Sequence, residues 1–129
     1  MTANWIKVCK TDDILPNSGV AALVSGLQIA IFRLQSEFYA ISDYDPFSGA
    51  YVLSRGIVGD RAGVIKVSSP IYKQSFNLLT GECFDDPTVK LPTYPVQVVD
   101  DGVYISTSDS EYVVAGRAFA LSNEATPSY

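Results

Sequence analysis

The sequence of 129 residues contains no histidine and only two cysteines. Without histidine, the chain cannot supply a Ser-His-Asp triad, a zinc site that uses imidazole, or an imidazole acid or base that titrates near neutral pH. Cys9 and Cys83 form no C-x-x-C pair and are too few for a disulfide framework. We therefore expect a reducing compartment, in which both cysteines serve as small buried hydrophobic residues.

Basic residues and long apolar runs are also scarce. Nine Lys and Arg residues stand against fourteen Asp and Glu residues, which gives a net charge of -5. The nine cations are scattered singly, whereas nucleic acids and anionic membranes bind clustered cations, so we expect neither partner. The longest apolar runs, such as 20–24, reach about a quarter of the ~20 residues that a membrane helix needs. The first residues lack the pattern of a secretory signal, and we expect a cytoplasmic protein.

The sequence does contain short runs of β-branched and aromatic residues separated by turn residues, which is typical of an all-β domain. We predict strands at 5–10, 20–24, 28–34, 38–42, 64–68, 75–78, 93–99 and 103–106. Ser25-Gly26 and 35–37 are predicted to form hairpin connections. A type I′ turn centred on Asp101-Gly102 is predicted between the last two strands, because both central positions need a positive φ.

Three further segments interrupt or follow this pattern. Residues 43–63 and 80–92 are predicted to be long loops, which in a compact domain usually carry function. Residues 107–129 are predicted to be a C-terminal extension that is at most partly ordered. Within it, 111–115 fits either a helix or, together with 117–119, an edge strand, and Asn123 to Tyr129 are expected to fray.

Two segments resemble the cluster-binding loops of Rieske iron–sulfur domains. Residues 45–56 read DPFSGAYVLSRG, against a family pattern of C-P-H-x-G-A followed by Leu-Ser and Gly. Residues 67–81 read VSSPIYKQSFNLLTG, against V-x-C-P-x-H-G-x-x-F-x-L-x-T-G. Residues 91–98 and 101–105 are similar to the strand pair that closes such domains. The resemblance covers 5–106 and implies a Rieske-like domain over 1–106. Its fold is expected to consist of antiparallel sheets, with a small former cluster-binding subdomain built from 43–63 and 69–80.

The ligands of the cluster are missing from these loops. In a Rieske centre two thiolates hold one iron and two imidazoles hold the other. The four matching positions of this chain hold Asp45, Phe47, Ser69 and Tyr72. A phenyl ring cannot coordinate iron, and a serine hydroxyl is a hard oxygen in place of a soft thiolate. We therefore expect that this chain binds no cofactor or metal and has no catalytic residue, and that the Asp45 carboxylate bonds to backbone amides of its own loop.

A chain of this size that keeps the Rieske loops without their ligands resembles the small subunit of bacterial assimilatory NAD(P)H-dependent nitrite reductase. The resemblance is carried by VCKTDDILP at 8–16, by AIFR at 30–33 and by the two loops. It implies an accessory, non-catalytic subunit of a cytoplasmic oxidoreductase complex that reduces nitrite to ammonia. FAD, an iron–sulfur cluster and sirohaem are then expected on the large subunit, which is the partner. The alternatives are a Rieske-type electron-transfer ferredoxin with unusual ligands and a free-standing binding module.

Two hypotheses remain for what replaces the cluster. In one, the rings of Phe47, Tyr51 and Tyr72 pack across the former site as filler. In the other, these rings form a partly exposed surface that docks the large subunit, because aromatic and Arg side chains are favoured interface anchors. The proposed partner interface comprises Phe47, Tyr51, Arg55, Tyr72, Lys73 and Gln74.

The remaining features have ordinary structural interpretations. The adjacent carboxylates at 12–13, 85–86 and 100–101 are expected to cap turns rather than to catalyse. Gly49, Gly56 and Gly81 are expected to supply backbone angles that other residues resist.

Overall fold

The chain folds into antiparallel β-sheets. The computed structural model describes residues 5–34 and 36–107, and the backbone of 111–114 and 117–120. The strands in these residues are β1 (Trp5–Lys10), β2 (Ser18–Val24), β3 (Leu27–Leu34), β4 (Glu37–Ser42), β5 (Tyr44–Asp45), β6 (Ala50–Tyr51), β7 (Ile57–Arg61), β8 (Val64–Ser68), β9 (Ser75–Asn77), β10 (Thr93–Tyr94), β11 (Val96–Val99), β12 (Gly102–Ser106), β13 (Glu111–Val114) and β14 (Arg117–Ala120). Short 3-10 turns lie at Thr11–Asp13 and Leu53–Arg55. No helix in the described residues is long and apolar enough to cross a membrane. The all-β prediction is confirmed.

Two sheets form the base of the domain and a third carries the loops. The base consists of a sheet with the order β1-β12-β11 and a sheet with the order β10-β4-β3-β2. The smaller part consists of the sheet β7-β8-β9 and the two-stranded ribbon β5-β6. β13 and β14 pair with each other, so both segments of the extension are strands and the helix alternative is wrong. The predicted fraying of Asn123 to Tyr129 concerns residues outside the described part of the chain.

The strand β3 holds the layers together because both of its faces are buried. Ile29 and Ile31 point into a core between the two base sheets, where they pack with residues such as Ile105. Ala30 and Phe32 point the opposite way, into a second core that reaches the loop-bearing part of the domain. Successive side chains of a strand face opposite sides of the sheet, so four consecutive apolar residues can serve two cores at once. All four are fully buried.

Two hairpins test the predicted turns. Ser25 and Gly26 have φ values of 51° and 80° and lie between the paired residues Val24 and Leu27, which confirms the first turn. The last hairpin is shifted by one residue from its prediction. Val99 pairs with Gly102, and the two central residues are Asp100 and Asp101, with φ values of 47° and 67°.

The glycine of this last hairpin is needed for packing rather than for the turn. A Cβ at Gly102 would lie 2.9 Å from the ring of Tyr104 and 3.1 Å from the carbonyl oxygen of Val99. Asp tolerates the left-handed region better than most residues, so the pair of aspartates can form the turn itself.

Two predicted segments differ from the structure. Residues 43–63 are not one loop, because they contain β5, β6, a 3-10 turn and β7. β7 is an edge strand that begins at Ile57, whose side chain is 71% exposed, so it lacks the alternation that marks a half-buried strand. The single strand predicted at 93–99 is split at Pro95: β10 pairs with β4, whereas β11 pairs with β12. Proline has no backbone N–H to donate to a ladder, and the chain changes sheet at that residue.

The expected role of Gly56 is also corrected. Its φ is -73°, which any residue can adopt. A Cβ at this position would overlap the carbonyl oxygen of Ser68 and lie 2.7 Å from the Val67 side chain. Gly56 therefore permits the first loop to approach β8 closely. Gly49 and Gly81 do have positive φ values, of 75° and 81°, as expected.

We predict that Gly56→Ala lowers the free energy of unfolding by about 1–3 kcal/mol, because the added methyl group meets backbone that cannot move aside without displacing β8. Gly59→Ala is the matched control, since no atom lies within 4 Å of its added Cβ, and its effect should stay within about 0.5 kcal/mol. Urea denaturation measures both. Equal effects of the two substitutions would contradict the close approach at Gly56.

Candidate functional site

The two Rieske-like loops are joined by a buried hydrogen bond between former ligand positions. Ser69 Oγ donates to Asp45 Oδ2 at 2.5 Å. The other carboxylate oxygen of Asp45 accepts the backbone N–H of Phe47 at 2.9 Å, which confirms the expected bond to its own loop. Asp45 is 0% exposed and Ser69 is 1% exposed. Two residues at positions that match thiolates in the Rieske pattern therefore bind each other directly.

The other two former ligand positions point in different directions. Phe47 is half-buried and packs against the second core, with its ring centroid 6.2 Å from that of Phe76. Tyr72 is 59% exposed. Tyr51 is also exposed, and its ring lies against Tyr44 with the centroids 5.2 Å apart. The filler hypothesis is consequently wrong for Tyr51 and Tyr72, and it holds only for Phe47.

The second loop closes tightly around Ser69. The backbone N–H of Ser69 donates to the carbonyl of Gln74 at 2.8 Å, and the N–H of Lys73 donates to the carbonyl of Ser69 at 3.2 Å. The hydroxyl of Ser69 also accepts the N–H of Ile71 at 3.3 Å. Lys73 has a φ of 69° and stands where the Rieske pattern has glycine. The loop thus places a lysine in the left-handed region, which lysine does not favour.

The first loop is supported by a carboxylate whose role the sequence did not reveal. Asp43 is 2% exposed, and its Oδ1 accepts the backbone N–H of Ser54 at 2.7 Å. Its carbonyl oxygen accepts the N–H groups of Val52 and Leu53 at 3.0 and 3.1 Å. These bonds fix the 3-10 turn that precedes Gly56 and place Arg55 at the surface.

Around the joined loops lies a surface that we call the tip surface. Ile57 pairs with Ser68 at the start of β7, next to the second loop, and it is exposed, as is Ile71. The tip surface comprises Tyr51, Arg55, Ile57, Ile71, Tyr72 and Lys73, all exposed. Sequence reasoning missed both isoleucines, because nothing in their spacing distinguishes them from core residues.

Two residues of the predicted interface do not belong to this surface. Phe47 is directed toward Phe76, as described above. Gln74 is half-buried, and the oxygen of its side-chain amide, Oε1, is buried without a hydrogen-bond partner among the described residues. Four of the six predicted interface residues are thus exposed together at the tip, and two lie behind it.

The donor atoms at the former ligand positions do not fit an iron–sulfur cluster. Both carboxylate oxygens of Asp45 already accept hydrogen bonds, one of them from Ser69. The Phe47 ring has no atom that binds iron. Among the described residues, no group of three or more His, Cys, Asp and Glu side chains is arranged to hold a metal ion.

The cysteines and the other carboxylates lie in structural positions. Cys9 and Cys83 are free thiols, of which Cys83 is buried and Cys9 half-buried. Burial raises the pKa of both thiols, and the negative charge of Asp13 adds to the effect on the pKa of Cys9. Asp13 accepts the N–H of Lys10 at 2.8 Å, and Asp86 accepts both the N–H and the hydroxyl of Thr88, so these two carboxylates cap turns as expected.

Comparison with known proteins identifies the family. Residues 4–106 match the family model described as "Rieske-like [2Fe-2S] domain". The nitrite reductase (NADH) small subunit of Salmonella typhimurium is 43% identical over 105 residues, which cover 80% of this chain and 97% of that protein. The chain belongs to the nitrite reductase small-subunit family. The solved structure of the E. coli protein NirD is 41% identical, with a TM-score of 0.76 over 81% of this chain and 97% of that one.

The same domain also occurs inside a much longer relative. A segment of the nitrite reductase [NAD(P)H] large subunit of Klebsiella oxytoca is 37% identical over 101 residues. That match covers 78% of this chain but 11% of the large subunit. A Rieske-like domain can therefore be a separate small subunit in one relative and part of the large subunit in another.

We predict that Ser69→Ala lowers the free energy of unfolding by about 2–3 kcal/mol, because it leaves one oxygen of a buried carboxylate without a donor. The same substitution made in an Asp45→Ala background should cost much less, since no carboxylate is then left unpaired. Ser48→Ala, in the first loop with Asp45, is the control. Ser48 accepts one N–H, from Ala50 at 3.3 Å, and its loss should cost less than about 1 kcal/mol. Additive effects of Ser69→Ala and Asp45→Ala in urea denaturation would show that the two loops are not coupled through this bond.

We predict that the folded chain reacts slowly with iodoacetamide at about pH 8, because burial raises the pKa of both thiols above the ordinary value of about 8.5. The folded state holds the protons of the two thiols more tightly than the unfolded state does. The thiols therefore contribute to stability below about pH 8.5, and this contribution is lost as the pH rises through their raised pKa values. Alkylation followed by mass spectrometry should therefore be much faster in urea than in buffer, most of all at Cys83. Equal rates in urea and in buffer would contradict this prediction.

Proposed function

We propose that the chain is the accessory small subunit of a cytoplasmic NAD(P)H-dependent nitrite reductase, which reduces nitrite to ammonia in nitrate and nitrite assimilation. The observation that carries this proposal is the similarity to a nitrite reductase (NADH) small subunit over 97% of that subunit's length. The redox groups of the complex, FAD, an iron–sulfur cluster and sirohaem, are assigned to the large subunit. The small subunit itself binds no cofactor and performs no chemical step.

The arrangement at the former ligand positions supports a binding role. Asp45 and Ser69 hold the two loops to each other, and Phe47 fixes the first loop to the core. These contacts preserve the shape of the tip with atoms that do not carry electrons. A fixed surface with exposed aromatic and aliphatic side chains is suited to contact another protein.

The large subunit is the partner that the comparisons favour. In the Klebsiella oxytoca protein the corresponding domain is part of the large-subunit polypeptide, which keeps the two permanently together. A separate chain such as this one needs a noncovalent surface to achieve the same association. The tip surface offers Tyr51 and Tyr72, which are 42% and 59% exposed, with Ile57 at 71% beside them. We assign the docking of the large subunit to this surface.

The deciding experiment is reconstitution with the large subunit from the same source. Purified large subunit is assayed for NAD(P)H-dependent nitrite reduction with and without the chain, and the complex is isolated through a tag on one subunit. We expect co-purification and increased nitrite reduction when both are present. Failure of the wild-type chain both to co-purify and to raise the activity would refute the proposed function. Two irons per chain with a visible absorption spectrum would instead support the electron-transfer ferredoxin.

We predict that Tyr72→Asp abolishes co-purification while the chain stays folded, because the ring is exposed and its replacement puts a negative charge on the tip surface. Leu23→Asp is the matched control. Leu23 is 71% exposed on β2, an edge strand of the base, and the substitution should leave the complex intact. Circular dichroism verifies the fold of both variants. If Tyr72→Asp binds as well as the wild type, the tip surface is not the docking site.

A further inference from the structure

The backbone of Lys73 is in a region that glycine adopts readily and lysine does not. Its φ is 69°, in the left-handed region. The other described non-glycine residues with positive φ are of two kinds. Asn17, Asp100 and Asp101 are the residue types that tolerate this region best, while Ser25 and Ala62 each precede a glycine in a two-residue hairpin turn. Lys73 is the exception among them.

The loop does not allow Lys73 to relax. Its N–H is bonded to the carbonyl of Ser69, whose own N–H is bonded to the carbonyl of Gln74, and Ser69 is fixed by Asp45. The conformation is therefore imposed by the closure of the loop, and glycine, the residue of the Rieske pattern, would satisfy it without strain. A strained residue that the fold itself does not need indicates a function for its side chain.

The side chain of Lys73 has the properties of a recognition group. It is exposed, and within residues 5–34 and 36–107 no carboxylate pairs with it. The only other charged residue of the tip surface is Arg55, so both of its charged side chains are basic although the chain carries a net charge of -5. An acidic side chain does contact the second loop: Asp85, which is exposed, accepts the N–H of Ser75 at 2.9 Å. Ile71 and Tyr72 flank the lysine with apolar surface that a partner would cover.

We propose that the Lys73 ammonium group forms an ion pair with a carboxylate of the large subunit when the tip surface is covered. This inference rests on the proposed function and names the chemistry of the matching surface, which is apolar at its centre and acidic opposite Lys73 and Arg55. Water is excluded around such a pair by Ile71 and Tyr72, which strengthens the attraction. The chain thus retains a lysine that makes its own fold less stable in exchange for binding.

Three substitutions of Lys73 separate its charge from its backbone strain. Lys73→Gly should raise the midpoint of thermal unfolding by about 2–5 °C, because it relieves the left-handed conformation. It should also weaken binding to purified large subunit about tenfold. Lys73→Met keeps the aliphatic stem and the strain, so it should weaken binding to a similar extent without raising the melting temperature. Lys73→Arg should bind within about threefold of the wild type.

Ala62→Gly is the control for strain relief, because Ala62 also has a positive φ, of 52°. It lies in the turn between β7 and β8, whereas Ile57 of the tip surface lies at the other end of that hairpin. It should stabilise the chain and leave binding unchanged.

Binding is measured by calorimetry at low and high NaCl, and the wild-type affinity should fall with salt more steeply than that of Lys73→Met. If Lys73→Gly and Lys73→Met bind the large subunit as tightly as the wild type does, the inference is wrong. Absence of binding by the wild type would overturn the proposed function instead.

Discussion

The hydrogen bond between Ser69 and Asp45 is the contact on which the shape of the tip depends. It joins two loops that are 24 residues apart in the sequence, in a position where water cannot compete. Ser69 in turn holds the second loop closed, and Asp45 holds the backbone of Phe47, whose ring packs on Phe76. The loops are therefore connected to each other and to the core by a short series of direct contacts. In the Rieske pattern a cluster occupies the place of this bond.

The hydrogen bond that joins these loops differs in chemistry from the cluster of the Rieske pattern. A cluster binds the loops through bonds to metal and also carries electrons, whereas a carboxylate and a hydroxyl only bind. The residues around them then follow different requirements. Phe47 turns inward to fill space, while Tyr72, at the other former imidazole position, stays at the surface. This division agrees with the docking role proposed for the tip surface.

Sequence patterns predicted most of the strands, and the failures have identifiable physical causes. β1 and β8 were predicted with their observed limits, but the edge strand β7 was missed because Ile57 is exposed and its neighbours do not alternate. The break at Pro95 was missed because both halves are good strand sequences on their own. At the site, the loop patterns assigned four residues to former ligand positions, and the structure brings two of them, Asp45 and Ser69, into contact. The bond between Asp45 and Ser69 was not predicted, since spacing alone does not tell which polar side chains meet across a fold.

The burial of β3 on both faces makes the base and the tip parts of one cooperative unit. Phe32 supports the core beneath the loops, while Ile31, the next residue, supports the core between the base sheets. Neither core can open without exposing a strand that belongs to the other, so the chain has no independent tip that could unfold first. A partner that binds only the native tip consequently stabilises every layer of the domain, including sheets that it never touches.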